Sequence, residues 1–320
     1  MTEKRLLNWD LFLNKKTIIS FLVSFSILFF LLKYVDIEGV IEVSRNANIG
    51  IFCLAIIVHY ASFLVRGLRW QNLLRGLNIK ISIGVSSEMV FLSWFANSIV
   101  PAKIGDVYRS HMLKMYNGTP ISVSIGTLVV ERLFDILLLM LLLTITGLTV
   151  FKDKMPEEIM QSIEIGYLLL GVIALCLVFF YVLRHHIGRI IPERFMIHYS
   201  NLHDGLYSSL SNPATLVSVA VFTIFSWTFE SARFLFVTRS LGIELSLAAI
   251  IFVVLASSLL TAIPLTPAGL GAVEVSIVFI LGILGVDPTV AASVALLDRL
   301  ISYWSILVSG AVVHMLSDKS

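Results

Sequence analysis

Apolar residues run in long blocks along this chain, and the length of each block predicts what it forms. A helix needs about 20 apolar residues to cross a bilayer. The blocks at 17–35, 49–65, 121–150, 165–183, 213–237 and 289–316 are long enough and predict six transmembrane helices. The first block follows Lys4, Arg5, Lys15 and Lys16, as a signal peptide would. It is too long for an h-region and lacks a small-x-small cleavage site, so it reads as an uncleaved span.

Three apolar stretches break this pattern. The stretch 83–100 carries Glu88, Asn97 and several serines and stops at Pro101; 250–263 is short and stops at Pro264; 268–284 resumes just after Pro267. Interrupted segments of this kind predict re-entrant or broken helices, whose unpaired backbone must line a protein-walled cavity because lipid cannot satisfy it.

Lysine and arginine placement orients the chain, because cytoplasmic loops carry the excess. If both interrupted regions enter and leave on one side, that side holds 15 of the 23 basic residues. The other side then holds Lys33, Arg45, Lys152, Lys154 and Arg239. If 83–100 crosses instead, the contrast nearly vanishes. The expectation is an all-α integral membrane protein with six transmembrane helices and two re-entrant or broken-helix regions. It would sit in the cytoplasmic membrane with both termini cytoplasmic.

The chain also repeats itself. Arg69-x5-Arg75-x-Leu77-x-Ile79-x2-Ser82 matches Arg233-x5-Arg239-x-Leu241-x-Ile243-x2-Ser246 at an offset of 164. Pro101-x3-Gly105 matches Pro267-x3-Gly271 at 166, Glu131-Arg132-Leu133 matches Asp298-Arg299-Leu300 at 167, and Pro120 matches Pro288 at 168. The chain thus reads as one transmembrane domain over 1–320: a first span at 17–35, a repeat at 49–150, a connecting span at 165–183 and a second repeat at 213–316. The charge pattern starts the two repeats on opposite sides, so they are expected to be inverted. Inverted repeats in secondary transporters hold the ligand between the halves and alternate its access.

Charges inside the predicted spans are the candidate chemistry. Glu131 and Asp135 share a face at i,i+4, Arg132 reaches Asp135 at i,i+3, and Glu230 precedes Arg233 at i,i+3. Each such charge costs about 2.5–3.5 kcal/mol at a helix centre on insertion scales, so partners or a wet cavity are required. Asp298-Arg299 recurs at the matching place in the last span. The breaks add backbone: Pro101-Ala-Lys103-Ile-Gly105-Asp106-Val-Tyr-Arg109 starts a helix beside basic side chains, a good phosphate site. Its counterpart Pro267-Ala-Gly269-Leu-Gly271-Ala-Val-Glu274 offers glycines that let a ligand approach, and a carboxylate.

Composition narrows the class further. Of 320 residues, 58% are hydrophobic and 14% charged, too little charge to cover a soluble core of this size. A formal net charge of +2 gives no nucleic-acid surface. Cys53 and Cys176 read as small buried hydrophobes, and the His185-His186 doublet belongs to a basic interfacial stretch. No Gly-x-Ser-x-Gly elbow, His-Glu-x2-His or Walker loop is present, so the chain is not expected to be an enzyme, and no catalytic residue, metal or cofactor is assigned.

Arg66-Gly-Leu-Arg69-Trp, Pro101-x3-Gly-Asp106-x2-Arg109, Glu131-Arg132-x2-Asp135, Pro267-x-Gly-x-Gly-x2-Glu274 and Asp298-Arg299 occur in order. The ordered set resembles the lysylphosphatidylglycerol synthase transmembrane region family, the flippase-like part of the multiple peptide resistance factor, over about 17–316. The resemblance implies movement of a phospholipid across a membrane. It does not imply synthesis, since no globular stretch follows Leu316. The second break departs from many members in reading Pro267-Ala-Gly269 without an added glycine.

The combined reading is a transporter of a lipid with a phosphate-bearing headgroup: an aminoacyl-phospholipid, another phospholipid, or a polyprenyl-phosphate carrier with or without a sugar. Arg66, Arg69, Lys103, Arg109, Arg132, Arg233 and Arg299 would hold phosphate and counter the acids. Glu131, Asp135, Glu274 and Asp298 would orient those bases, bind an amino headgroup or carry a coupling proton. Asp106, Glu230, Pro267, Gly269 and Gly271 complete the expected substrate-binding set. The alternatives are a membrane enzyme acting on lipid-linked phosphate or sugar, and a scaffold for a separate lipid synthase. Expected partners are the lipid and a separate synthase or glycosyltransferase, with no nucleic acid; the sequence leaves homo-oligomerisation open.

Overall fold

The computed structural model describes residues 14–101, 104–152, 157–182, 192–261 and 266–317, and these residues are helical with no strand among them. Helix α1 is Lys15–Tyr34, α2 Ile37–Arg45, α3 Ile49–Gly76, α4 Ile83–Ile99, α5 Ile104–Asn117, α6 Ile121–Phe151 and α7 Glu157–Val182. Then come α8 Glu193–Ser211, α9 Pro213–Ser240, α10 Leu247–Leu260, a 3-10 turn Pro267–Gly269, α11 Ala272–Ile283 and α12 Pro288–Arg299. A π turn, Leu300–Trp304, leads into α13 Ser305–Ser317. Among the described residues, six helices are long and apolar enough to span a bilayer, the last formed by α12, the π turn and α13 together. The chain is a multi-pass membrane protein.

Local chemistry sets the helix ends, and it recurs at one spacing. α3 and α9 are both 28 residues long. They begin after Asn48 and Asn212, whose side chains accept from Ile51 N (3.1 Å) and Thr215 N (3.3 Å) and so satisfy first-turn donors. They end alike: Ile79 N donates to Leu74 O (2.9 Å) and Ile243 N to Thr238 O (3.0 Å). Each end passes through one left-handed residue, Asn78 at φ 61° and Gly242 at φ 72°. Ser82 and Ser246 then cap α4 and α10, accepting from Val85 N and Ala249 N at 3.2 Å each. Every pair is 164 residues apart.

α3 and α9 pack on each other antiparallel. Asn48 N donates to Ser240 O (2.7 Å) at one end, and Asn72 Nδ2 meets Ser218 Oγ (2.9 Å) towards the other. Around this pair, α4 packs on α13 while α10 packs on α6, so the second helix of each half lies on the last helix of the other. The apolar core under α10 joins Ile250, Val253 and Leu255 to Leu139, Met140 and Leu143 of α6.

Two elements differ from the sequence expectation. The stretch between the blocks at 165–183 and 213–237 holds no apolar block and gives no helix in the sequence, but Glu193–Ser211 form α8, laid across the start of α6. Gly126 and Gly205 form the crossing: a Cβ on Gly126 would come within 2.6 Å of Leu206 N, and one on Gly205 would strike the Val123 carbonyl. Small residues let the two backbones close. Cys53 and Cys176 are exposed, not buried in protein; they lie on the spanning helices α3 and α7, so the surrounding apolar phase is the bilayer. His185 and His186 lie outside the described residues.

Candidate functional site

Each half brings its arginines and carboxylates together by the same geometry. α3 carries Arg69 and α6 carries Glu131; their side chains pair at 2.9 Å. α9 carries Arg233 and α12 carries Asp298, which also pair at 2.9 Å. At the next residue of each helix, Arg132 reaches back to Asp106 (2.9 Å) in the first turn of α5, and Arg299 to Glu274 (2.9 Å) in the first turn of α11. An acid in a helix's first turn also complements the dipole there.

Of the remaining contacts, three cross between the halves, joining Arg66 to Glu230, Arg69 to Thr223 and Arg233 to His59. Arg66 Nη2 donates to Glu230 Oε1 at 2.6 Å, and Arg233 also pairs with Glu230. Arg69 Nη1 donates to Thr223 Oγ1 (3.1 Å), while Arg233 Nη1 lies 3.3 Å from His59 Nδ1. Arg69 also holds Asp135 (2.5 Å), Arg132 holds Asp135 (3.2 Å), and Arg109 joins Glu131 (3.2 Å) and Asp106 (3.5 Å). Among the described residues, the network thus contains six arginines and six carboxylates, every one of them paired. Arg66 and Arg109 also lie over indole rings, Trp94 at 4.5 Å and Trp70 at 4.8 Å.

A cavity of about 280 Å³ opens between the halves, with walls from α3, α4, α6, α9, α10 and α12. Arg66, Arg132, Asp135, Glu230, Arg233, Asp298 and Arg299 line it, whereas Arg69, Asp106, Arg109, Glu131 and Glu274 support those side chains from behind. Exposure separates the arginines: the Arg132 side chain is 35% open, against 1% for Arg69 and Arg109. Arg132 is therefore the guanidinium best placed to exchange a carboxylate for a ligand.

The breaks contribute less backbone to the cavity than their glycines suggest. In the first, Pro101 lines the cavity, but Gly105 N already donates to Asn97 Oδ1 (2.8 Å). In the second, Thr266 and Ala268 line it, and the Ala268 carbonyl accepts from Arg299 Nη2 (3.1 Å). Ala268 sits at φ 45°, a left-handed conformation that costs a non-glycine residue energy and is kept here by that arginine contact. Gly271, at φ 88°, faces α1: a Cβ there would meet Ile27 Cβ and the Ser24 carbonyl at 3.0 Å. Gly271 N is taken by Glu274 Oε2 (2.7 Å). Gly269 packs on Val273 and Thr261, and Pro267 is buried in the turn. Lys103 lies outside the described residues.

His59, Thr223, Trp94 and Trp227 belong to this site or its wall and were not singled out from the sequence. A signal existed for two: His59 and Thr223 stand 164 apart, so each serves the other half's arginine from the same position.

Six spans around a small, charged, two-sided cavity define a multi-pass α-helical membrane protein with an internal polar site. The chain belongs to the lysylphosphatidylglycerol synthase TM region family, which it matches over residues 17–310. It is 36% identical to a UPF0104 membrane protein of Methanocaldococcus jannaschii over 226 residues, 71% of this chain and 95% of that one. A UPF0104 membrane protein of Methanothermobacter thermautotrophicus is 26% identical over 315 residues, covering 91% of each chain. Glycosyltransferase AglD of Haloferax volcanii is 24% identical over 327 residues, 89% of this chain but 51% of that protein.

Proposed function

We propose that this protein moves a lipid with a phosphate-bearing headgroup across the cytoplasmic membrane by alternating access, with both termini on the cytoplasmic side. The observation that carries the reading is the partly open Arg132 side chain on a cavity walled by both halves of the chain. At about 280 Å³ the cavity lies just below the usual ~300–1,000 Å³ of small-molecule sites. A headgroup fits it and the hydrocarbon chains stay in the bilayer. The halves act as inverted repeats: matching helices α3 and α9 run antiparallel, and matching ion pairs close each half. Rocking one half against the other would then move the opening from one face to the other.

Arg66, Arg69 and Arg109 are neutralised within the network, so they carry no topogenic charge. Without them the inferred cytoplasmic side still holds 12 basic residues against 5, which supports the same orientation. A second reading places the chain beside a lipid-modifying enzyme. It takes support from the relative named a glycosyltransferase, since this chain spans about half of that protein's length.

The test is reconstitution into vesicles carrying a fluorescent phosphate-headgroup lipid in both leaflets, followed by quenching from outside. The protein should raise the flip rate, and Arg132→Ala should lower it without altering elution or melting. No acceleration by the wild-type protein, or equal acceleration by Arg132→Ala, would count against the proposal.

A further inference from the structure

Hydrogen-bonding groups on the cavity wall fall into two sets that a bare phosphate cannot both satisfy. The first set is donors. Arg66 Nε, Trp227 Nε1 and Ser257 Oγ are buried atoms with no hydrogen-bond partner among the described residues, and all three residues line the cavity. Ser257 is only 4% exposed. The three atoms themselves have almost no open surface, so each side chain must turn to present its donor to the cavity; an unpaired buried donor is costly, and acceptor oxygens there would relieve all three.

The second set is acceptors. Ser98 Oγ donates to Trp94 O (3.0 Å), Ser258 Oγ to Val254 O (2.7 Å) and Thr261 Oγ1 to Ser258 O (2.7 Å). Each of these cavity-lining hydroxyls has spent its one proton on its own helix and keeps lone pairs alone to offer. An ionised phosphate brings acceptors and has nothing to donate to them. An ammonium brings donors, but the lining carboxylates Asp135, Glu230 and Asp298 are each already held by arginine, and it would leave the wall's donors unmet. Alcohol groups do both, because a hydroxyl donates once and accepts twice.

We propose that the headgroup is a glycosyl phosphate: the phosphate meets Arg132, and the sugar lies against Trp227, Ser257 and the hydroxyls of Ser98, Ser258 and Thr261. This rests on the reading of the cavity as a phosphate-headgroup site and adds its second component. Trp227 suits a sugar twice over, through an apolar ring face for the C–H side and an N–H for a hydroxyl.

The experiment is a binding titration on the full chain in lipid nanodiscs, read by native mass spectrometry. The probes are undecaprenyl phosphate, undecaprenyl phosphate bearing one hexose, and phosphatidylethanolamine. The hexose-bearing lipid should bind at least about 10-fold tighter than the bare phosphate lipid, roughly the gain from two or three added hydrogen bonds. Ser257→Ala and Trp227→Phe should each narrow that gap by about 3- to 10-fold, weakening the glycosylated lipid more than the bare one. Equal binding of the two undecaprenyl lipids by the wild-type protein overturns the proposal whatever the variants do, and so does tighter binding of phosphatidylethanolamine. Arg132→Gln separates the two levels. If it weakens both phosphate lipids while the hexose gives no gain, the sugar inference fails and the phosphate reading stands. If it weakens neither, both fall.

Discussion

Arg66 and Glu230 stand 164 residues apart, at the same position of the two matching helices α3 and α9, and they form an ion pair with each other at 2.6 Å. Two equivalent positions of a two-fold arrangement can touch only at its axis. An identical pair there would set arginine against arginine or acid against acid inside the membrane. The chain avoids that by carrying opposite charges at this meeting of matching positions. Away from the axis the halves keep like residues at like positions, as Arg69 with Glu131 and Arg233 with Asp298 show.

Glu230 serves two guanidinium groups and Arg66 only one acid. Glu230→Gln should therefore cost about 3–5 kcal/mol, the range for one-sided loss of a buried pair. Arg66→Gln should cost less, since Glu230 keeps Arg233. Thermal melting of the two purified variants should rank them in that order.

Arg69 and Arg132 share Asp135 but differ in exposure. Arg69→Gln leaves Glu131 to Arg109 alone and Asp135 to Arg132 alone, takes a fully buried guanidinium from both at once, and should lower the melting temperature. Arg132→Gln should melt close to wild type while losing lipid movement. The reverse pattern would make Arg132 the structural member of the pair.

A Cβ on Gly76 would lie 3.3 Å from Thr215 Oγ1, a spacing that suits a disulfide between cysteines at the two positions. Gly76→Cys with Thr215→Cys should form that bond on mild oxidation, seen as a linked peptide by mass spectrometry. If the halves rock against each other, lipid movement should stop on oxidation and return on reduction.

Orientation is tested by labelling from one side. Cysteines replacing Asn117 at the end of α5 and Asp204 on α8 should react from the cytoplasmic side, and one replacing Glu157 at the start of α7 from outside. Opposite labelling of Asn117 and Asp204 would remove the inverted arrangement.

Spans, breaks and the 164-residue spacing are legible in the sequence because bilayer thickness and chain stiffness act locally. The i,i+3 pairs Arg132–Asp135 and Glu230–Arg233 are legible for the same reason: one helix places both members. The partners of Arg66, Arg69 and Arg109 are not, because they depend on how helices distant in sequence come to lie together. Gly271 shows the limit most plainly. Its sequence context reads as room for a ligand, while the structure fills that room with α1. α8 escapes notice because Glu193, Arg194, His198, His203 and Asp204 dilute its apolar face. The only hints of it were Pro192 before its start and two glycines that mean nothing until they meet.

The balanced set of six guanidinium groups and six carboxylates has an electrical consequence. Moving one elementary charge through 100 mV takes about 2.3 kcal/mol, but a neutral body carried through the same field does no net work. A rearrangement that carries the ion pairs along intact therefore has little gating charge of its own. Any dependence of lipid movement on membrane voltage would measure the charge of the cargo together with any proton moved alongside it, so electrical recordings at two pH values would weigh the headgroup before chemistry identifies it.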